Sequence, residues 1–361
     1  MKYLDEFRNG EIAQPLAEKI RQAAGDRAIT LMEVCGTHTM AIFRYGLRTL
    51  LPPKIRLLSG PGCPVCVTPN GYIDRAVAYV RENGVILTTF GDMMRVPGSG
   101  SSLEKEKAEG HDVRIVYSTL QALKIAADNP GRRVIFFGVG FETTSPTVAA
   151  SLLKADKEGI KNYFVLCAHK VIPPAMEALV DTPELNIDGF ICPGHVSTII
   201  GTDPYKVLAG NHHIPCVIAG FEPLDILQTI YMLIIRIAKG EAEVDIQYRR
   251  CVREEGNPRA LSLLREVFEV EDTSWRGLGI IPASGFKIRD KYRRFDAERE
   301  MKVKVEATRE NPNCLCGDIL RGLKTPGDCP LFKTVCRPEN PLGACMVSGE
   351  GTCAAYYKYG G

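Results

Sequence analysis

The sequence predicts an α/β protein: two similar α/β domains, each built on a central parallel sheet, followed by a mainly helical or irregular cysteine-rich domain. Three observations predict it. Between Ala28 and Gly220, short apolar runs alternate with helical segments, and such runs suit strands buried on both faces of a parallel sheet. Nearly every run ends in Gly, Pro, Cys or a polar residue, as strands feeding functional loops do. Of the thirteen cysteines, seven are spread over residues 1–313 and six crowd into residues 314–353.

The expected strands are Ile29–Val34, Ile55–Leu58, Gly84–Thr89, Val113–Tyr117, Val134–Val139, Tyr163–Cys167, Gly189–Cys192 and Pro215–Ala219. Between them, Ile73–Glu82, Thr119–Ala127 and Thr147–Lys154 carry apolar residues at helical spacing. The Asp128-Asn129-Pro130-Gly131 turn divides the strands into two sets of four. The expected domains are therefore 25–128, 130–240 and 241–361, the last joined by residues 1–24; one continuous sheet is the alternative. After Gly240 the pattern reads as helical and charged. Lys287 to Lys302 holds seven basic and four acidic residues, which reads as a solvated face, with a docking surface as the alternative.

Composition narrows the function. The 45 basic and 43 acidic residues leave a net charge of +2, so no global footprint for nucleic acid or an anionic membrane exists. Met1 to Leu16 lacks an apolar core of signal-peptide length. The greasiest stretch, Leu224 to Ala238, is interrupted by Asp225, Gln228 and Arg236 and is too short to span a bilayer. A cytoplasmic protein is expected, and there thirteen cysteines suggest metal or redox chemistry rather than structural disulfides.

Ligands of open parallel sheets bind outside the carboxyl ends of the strands. Those ends carry Cys35-Gly36-Thr37-His38-Thr39, Gly60-Pro61-Gly62-Cys63-Pro64-Val65-Cys66, Phe90-Gly91-Asp92-Met93-Met94-Arg95, Phe141-Glu142-Thr143-Thr144, Cys192-Pro193-Gly194-His195 and Gly220-Phe221-Glu222-Pro223. Cys63 and Cys66 are spaced to close a small disulfide ring or to share a metal. With Cys35 and His38 they also make a formal Cys₃His set for zinc. A thiolate at Cys35 would be a soft ligand for a transition metal. His195 could face the same crevice as Cys35. Cys167, Cys192, Cys216 and Cys251 read as structural. Gly138-x-Gly140 could seat an anion, but as a dinucleotide motif it fails at Thr143.

The tail runs Cys314-x-Cys316-x₁₂-Cys329-x₆-Cys336-x₈-Cys345-x₇-Cys353, in loops rich in Gly and Pro. Paired C-x-x-C zinc knuckles and the bacterial ferredoxin run are both absent from this spacing. An iron–sulfur cluster, expected as [4Fe–4S], would use four of the six thiols, and spacing does not say which.

MEVCGTHT (Met32–Thr39), GPGCPVCVTP (Gly60–Pro69), FGDMMRVPG (Phe90–Gly98), GFETTSPT (Gly140–Thr147), CPGHVS (Cys192–Ser197), GFEP (Gly220–Pro223) and C-x₁₄-C-x₆-C-x₁₆-C through Cys314, Cys329, Cys336 and Cys353 together resemble the HypD family of [NiFe]-hydrogenase maturation proteins. The resemblance covers essentially the whole chain. It implies a scaffold, formed with the small chaperone HypC, on which an Fe(II) ion receives two cyanides and one carbon monoxide before transfer to the hydrogenase large subunit. The cyanide would come from HypE as a thiocyanate on its C-terminal cysteine. By the same resemblance Cys35 is the iron ligand, shared with a cysteine of HypC. Cys314, Cys329, Cys336 and Cys353 are the [4Fe–4S] ligands, Cys316 and Cys345 form a dithiol beside the cluster, and Cys63 and Cys66 form a second exchangeable pair nearer the iron. His38, His195 and Glu142 are the further candidates, as iron ligands or as groups that orient them. Two other readings fit the same residues: a cluster-dependent disulfide reductase of ferredoxin:thioredoxin-reductase type, and a zinc-binding interaction protein.

Overall fold

A computed structural model describes residues 5–182 and 184–360. It contains two parallel sheets. The first has strand order β2-β1-β7-β8-β9, formed by β1 (Ile29–Glu33), β2 (Ile55–Ser59), β7 (Gly189–Pro193), β8 (Cys216–Ala219) and β9 (Val244–Ile246). The second has order β4-β3-β5-β6, formed by β3 (Val85–Thr89), β4 (Val113–Ile115), β5 (Arg133–Gly138) and β6 (Tyr163–Cys167). All pairings in both sheets are parallel. All eight expected strands are present, and the two-sheet α/β class holds.

The division between the sheets differs from the expected one. β5 pairs with β3 from Val85↔Arg133 to Thr89↔Phe137, so the Asp128–Gly131 turn lies inside the second sheet's module. That module, β3 to β6, is inserted between β2 and β7 of the first sheet. The turn only carries the helix Thr119–Asp128 back into β5. Turn chemistry marks where the chain reverses, whereas strand partners are set by crossover packing, which no local signal encodes.

The boundaries of the third region also move. The helix Gly10–Ala24 buries Ala17, Ile20 and Ala24. Ile20 and Ala24 join the core of the first sheet with Leu31, Ile226 and Ile230. Residues 241–313 are not a helical prelude to the tail either. β9 extends the first sheet, and β10 (Phe268–Trp275) pairs antiparallel with β11 (Gly279–Ile288). This hairpin, with the helix Pro258–Val267, packs Leu264, Val267, Phe268 and Ile288 against Ile86, Val134 and Val165 of the second sheet. The charged stretch after it is largely ion-paired: Lys291 with Glu266, Arg294 with Asp156, and Arg299 with Asp290. No described helix is long and apolar enough to cross a membrane.

Both sheets have a topological switch point. In the first, β1 leads outward to β2 while its neighbour β7 leads the other way to β8. In the second, β3 leads to β4 and β5 to β6. Chain leaving adjacent strands in opposite directions opens a crevice at their carboxyl ends.

Candidate functional site

One cleft collects these strand ends. It is lined by Val34, Cys35 and Thr37 after β1, Gly62 and Pro64 after β2, Phe141, Thr143 and Thr144 after β5, His195 and Thr198 after β7, and Glu350 from the tail. Its volume is about 370 Å³. The switch point between β1 and β7 therefore brings Cys35 and His195 to the same wall.

Cys35 is the N-cap of the helix Gly36–Arg44, with extended backbone at φ −156°. Its N–H donates to Glu33 Oε2 at 3.1 Å, and Glu33 Oε1 accepts from Thr39 Oγ1. Burial pushes the thiol up to about 12, with the charges of Glu350 and Glu33 adding to it. The N–H groups of His38 and Thr37, at the start of the helix, oppose that shift by donating toward the sulfur. The side chain is 7% exposed. Such a thiol stays protonated by itself and ionises when a cation takes the proton's place.

Gly62 sets how closely β2 approaches. Gly36 N–H donates to Gly62 O at 3.0 Å, and a Cβ on Gly62 would overlap the Cys35 backbone. The next residue, Cys63, caps the short helix Pro64–Val67, its Sγ accepting from Cys66 N–H at 3.3 Å. Cys63 and Cys66 form a disulfide with Cα atoms 5.2 Å apart. Both are buried.

Phe221 of the GFEP segment lies between the two histidines. It stacks on His195 with centroids 3.9 Å apart and on His38 at 4.8 Å. His195 faces the cleft, and burial against that stack holds its ring below the ordinary range, with the Glu350 charge opposing. His38 is fully buried behind the wall. Its Nε2 bonds Gly220 O at 3.0 Å, and burial pulls its ring down to about 4. Its visible job is to fix the strand-end loop that carries Phe221. With Cys63 and Cys66 joined, the alternative Cys₃His set does not present four free donors. Glu142 is likewise behind the wall, accepting from Ile172 N–H at 3.0 Å while its Oε2 has no partner. Burial pushes its carboxyl up to about 7.

Sequence reasoning missed Glu350. It sits between Gly349 and Gly351 in the tail, and its Oε1 accepts from Thr37 Oγ1 at 2.6 Å. A Cβ on Gly36 would lie 2.6 Å from Glu350 Cβ, so only glycine lets the tail loop seat beside Cys35. An acid flanked by two glycines was the available signal, but nothing local links it to a strand end more than three hundred residues away.

The tail builds a second, small and almost wholly apolar cavity, of about 10 Å³. All six tail cysteines line it, with Ile319, Leu331, Phe332 and Met346. Cys316 and Cys345 are joined as a disulfide, Cα atoms 6.5 Å apart, whereas Cys314, Cys329, Cys336 and Cys353 are free. Burial pushes the Cys353 thiol well up, and charge at Cys314, Cys336 and Cys329 pushes it further, so the four sulfurs confront one another. Among the described residues, no three cysteine sulfurs lie within 4.8 Å of one another. A tetrahedral zinc with Zn–S bonds of about 2.3 Å would hold its sulfurs roughly 3.8 Å apart. The tail thiols are therefore not gathered as a single tetrahedral zinc would hold them.

The two sulfur sites abut. Cys66 Sγ lies 4.0 Å from Ala344 O, one residue before Cys345. Gly351 packs so closely on Cys345 that a Cβ there would lie 2.8 Å from the Cys345 carbonyl carbon. A single tail segment therefore touches the Cys63–Cys66 disulfide through Ala344 and the Cys35 cleft through Glu350.

Comparison with known proteins gives the family. The HypD family model, described as hydrogenase formation hypA family, matches residues 11–360. The hydrogenase maturation factor HypD of Azotobacter vinelandii is 51% identical over 368 residues, covering 100% of this chain and 97% of that protein. HypD2 of Bradyrhizobium diazoefficiens is 50% identical, covering 100% and 97%. HypD of Escherichia coli K12 is 46% identical, covering 99% and 98%. This chain belongs to the HypD family of hydrogenase maturation factors.

Proposed function

We propose that this protein is a redox-active scaffold that assembles an Fe(CN)₂CO unit, with a HypC-type chaperone as co-ligand and HypE as the source of cyanide. The observation that carries the reading is a chain of contacts: Cys345 lines the tail cavity with the Cys316–Cys345 disulfide, its neighbour Ala344 lies 4.0 Å from Cys66 Sγ, and Gly62, next to the Cys63–Cys66 disulfide, packs on the Cys35 backbone. In this reading Cys35 anchors the iron as a thiolate, and His195 and Glu350 flank it as candidate ligands or orienting groups. Soft thiolate suits an iron that carries cyanide and carbon monoxide.

Cys314, Cys329, Cys336 and Cys353 would hold a [4Fe–4S] cluster in the apolar cavity. When bound it would supply electrons singly from an external one-electron donor. The Cys316–Cys345 disulfide takes up two electrons and two protons to become a dithiol. One of its thiolates attacks the Cys63–Cys66 disulfide, and the second resolves the mixed disulfide. Cys63 and Cys66 are left reduced. Their two electrons then cleave a partner's thiocyanate: two thiols and R–S–C≡N give a disulfide, R–SH and HCN.

Metal and sulfide analysis of anaerobically purified protein tests the cavity. The expected result is about four iron and four sulfide per chain, lost in Cys336→Ala and retained in Cys251→Ala. Stoichiometric zinc without sulfide contradicts it and favours an interaction protein. A disulfide reductase with no iron task would keep electron flow to Cys63–Cys66 in Cys35→Ala and leave hydrogenase activity intact. The scaffold reading expects that activity to be lost.

A further inference from the structure

The tip of the β10–β11 hairpin places one buried cation between the two sulfur sites. Arg276 is 7% exposed. Its backbone N–H donates to Val67 O at 2.8 Å. Its guanidinium donates from Nε and Nη2 to Thr68 O at 3.1 and 2.6 Å. Those carbonyls end the short helix that carries Cys66. On the other side, Nη1 donates to Glu310 Oε1 at 3.2 Å. Glu310 lies in the segment leading to Cys314, whose N–H is held by Asn311 O at 3.0 Å. The next hairpin residue, Gly277, meets the tail backbone directly: a Cβ on Gly317, beside Cys316, would lie 2.8 Å from Gly277 Cα. Trp275 anchors the tip from behind, buried and donating from Nε1 to Ser284 Oγ at 2.8 Å.

A buried cation is expensive unless it answers negative charge. Its one carboxylate partner, Glu310, is itself 49% exposed and screened by water. The neutral carbonyl of Thr68 does not balance a unit charge. Beyond Glu310, the negative groups that act on the guanidinium are Cys314, the stronger, and Asp74, and Cys314 belongs to the tail's thiol set.

We infer that Arg276 is a positioning residue that raises the reduction potential of the tail's redox centre and fixes the Cys63–Cys66 helix against it. The inference rests on the cluster reading of the tail cavity. A cluster with four thiolate ligands gains one negative charge on reduction, and a nearby buried cation favours the more negative state. The same side chain clamps Thr68 O, so one residue both tunes the electron entry and holds the disulfide that receives the electrons.

The test is an anaerobic redox titration of the full chain, followed by electron paramagnetic resonance, for wild type, Arg276→Met, Arg276→Lys and Glu310→Gln. Arg276→Met is expected to weaken reduction at least tenfold, a shift of 59 mV to more negative potential for a one-electron couple. Arg276→Lys keeps the charge but not the fork to Thr68 O, so its potential stays near wild type while reduction of Cys63–Cys66 slows. Glu310→Gln removes a surface carboxylate, so it keeps the fold and shifts the potential the opposite way. A loaded protein whose potential moves in neither Arg276→Met nor Glu310→Gln overturns this inference alone. If Arg276→Met does not fold, Arg276→Gln, which keeps an N–H donor for Thr68 O without the charge, takes its place, and an unmoved potential in it overturns the inference. A wild-type chain without iron and sulfide overturns the cluster reading as well.

Discussion

Thr37 and Glu350 are joined by a 2.6 Å hydrogen bond across a sequence separation of 313 residues. Through it the last turn of the tail becomes part of the wall beside Cys35. The fold thus couples the region that would receive electrons to the region that would hold iron, by a short bond rather than by a flexible linker.

Breaking that coupling has separable effects. Glu350→Gln removes one of the charges that keep the Cys35 thiol high. In metal-free protein, alkylation of Cys35 by iodoacetamide at pH 8 is expected to rise several-fold. Thr37→Val loses a hydrogen bond to a carboxylate, worth about 2 kcal/mol, and loosens the tail loop. Mass spectrometry of the alkylated protein reads the first effect and limited proteolysis near Glu350 the second. An unchanged Cys35 rate in Glu350→Gln contradicts the electrostatic account.

Gly62→Ala tests the close approach of β2 to Cys35. The added Cβ overlaps the Cys35 backbone, which must shift at a cost of about 1–3 kcal/mol. Thermal unfolding should register the loss. Iron retention on Cys35 should fall more than the iron and sulfide content of the tail, because Gly62 packs on the Cys35 backbone and does not line the tail cavity. Equal loss at both sites would mean global unfolding instead.

Glu142 gives a pH signature. Its carboxyl is pushed from an ordinary value near 4.5 up to about 7 by burial. A raised acid contributes stability that is fully present below the ordinary value and is lost as pH rises through the folded value. Stability of the metal-free protein should therefore decline between about pH 4.5 and 7, by up to roughly 1.4 kcal/mol per pH unit. Glu142→Gln should flatten this decline. Denaturant titrations at several pH values give the slope, and an identical slope in the variant contradicts the assignment.

The strands were legible because each is a short apolar run, and β6 matches residue for residue at Tyr163–Cys167. Their partners were not, since a parallel pairing such as Val85↔Arg133 depends on how crossovers pack. The β10–β11 hairpin was missed although Phe268 and Val270 alternate with acids. The register shift between Glu271 and Thr273 breaks the two-residue period, and the abundant charges mimic an exposed helix. In the site, Cys35, Cys63, Cys66 and the tail cysteines stood out by type and spacing. His38 and Glu142 looked equally reactive in sequence, but their side chains turn into the wall. Glu350 and Arg276 carried no local mark, because their roles exist only where distant segments meet.

In the proposed function, Cys35 holds an iron carrying cyanide and carbon monoxide. Infrared spectroscopy of the anaerobic complex with the HypC-type partner, purified from cells with an intact maturation pathway, tests it most directly. Cyanide and carbonyl stretches are expected in the wild-type complex, with their loss in Cys35→Ala while the tail's iron and sulfide are retained. A wild-type complex without those bands, or bands that survive in Cys35→Ala, would contradict it.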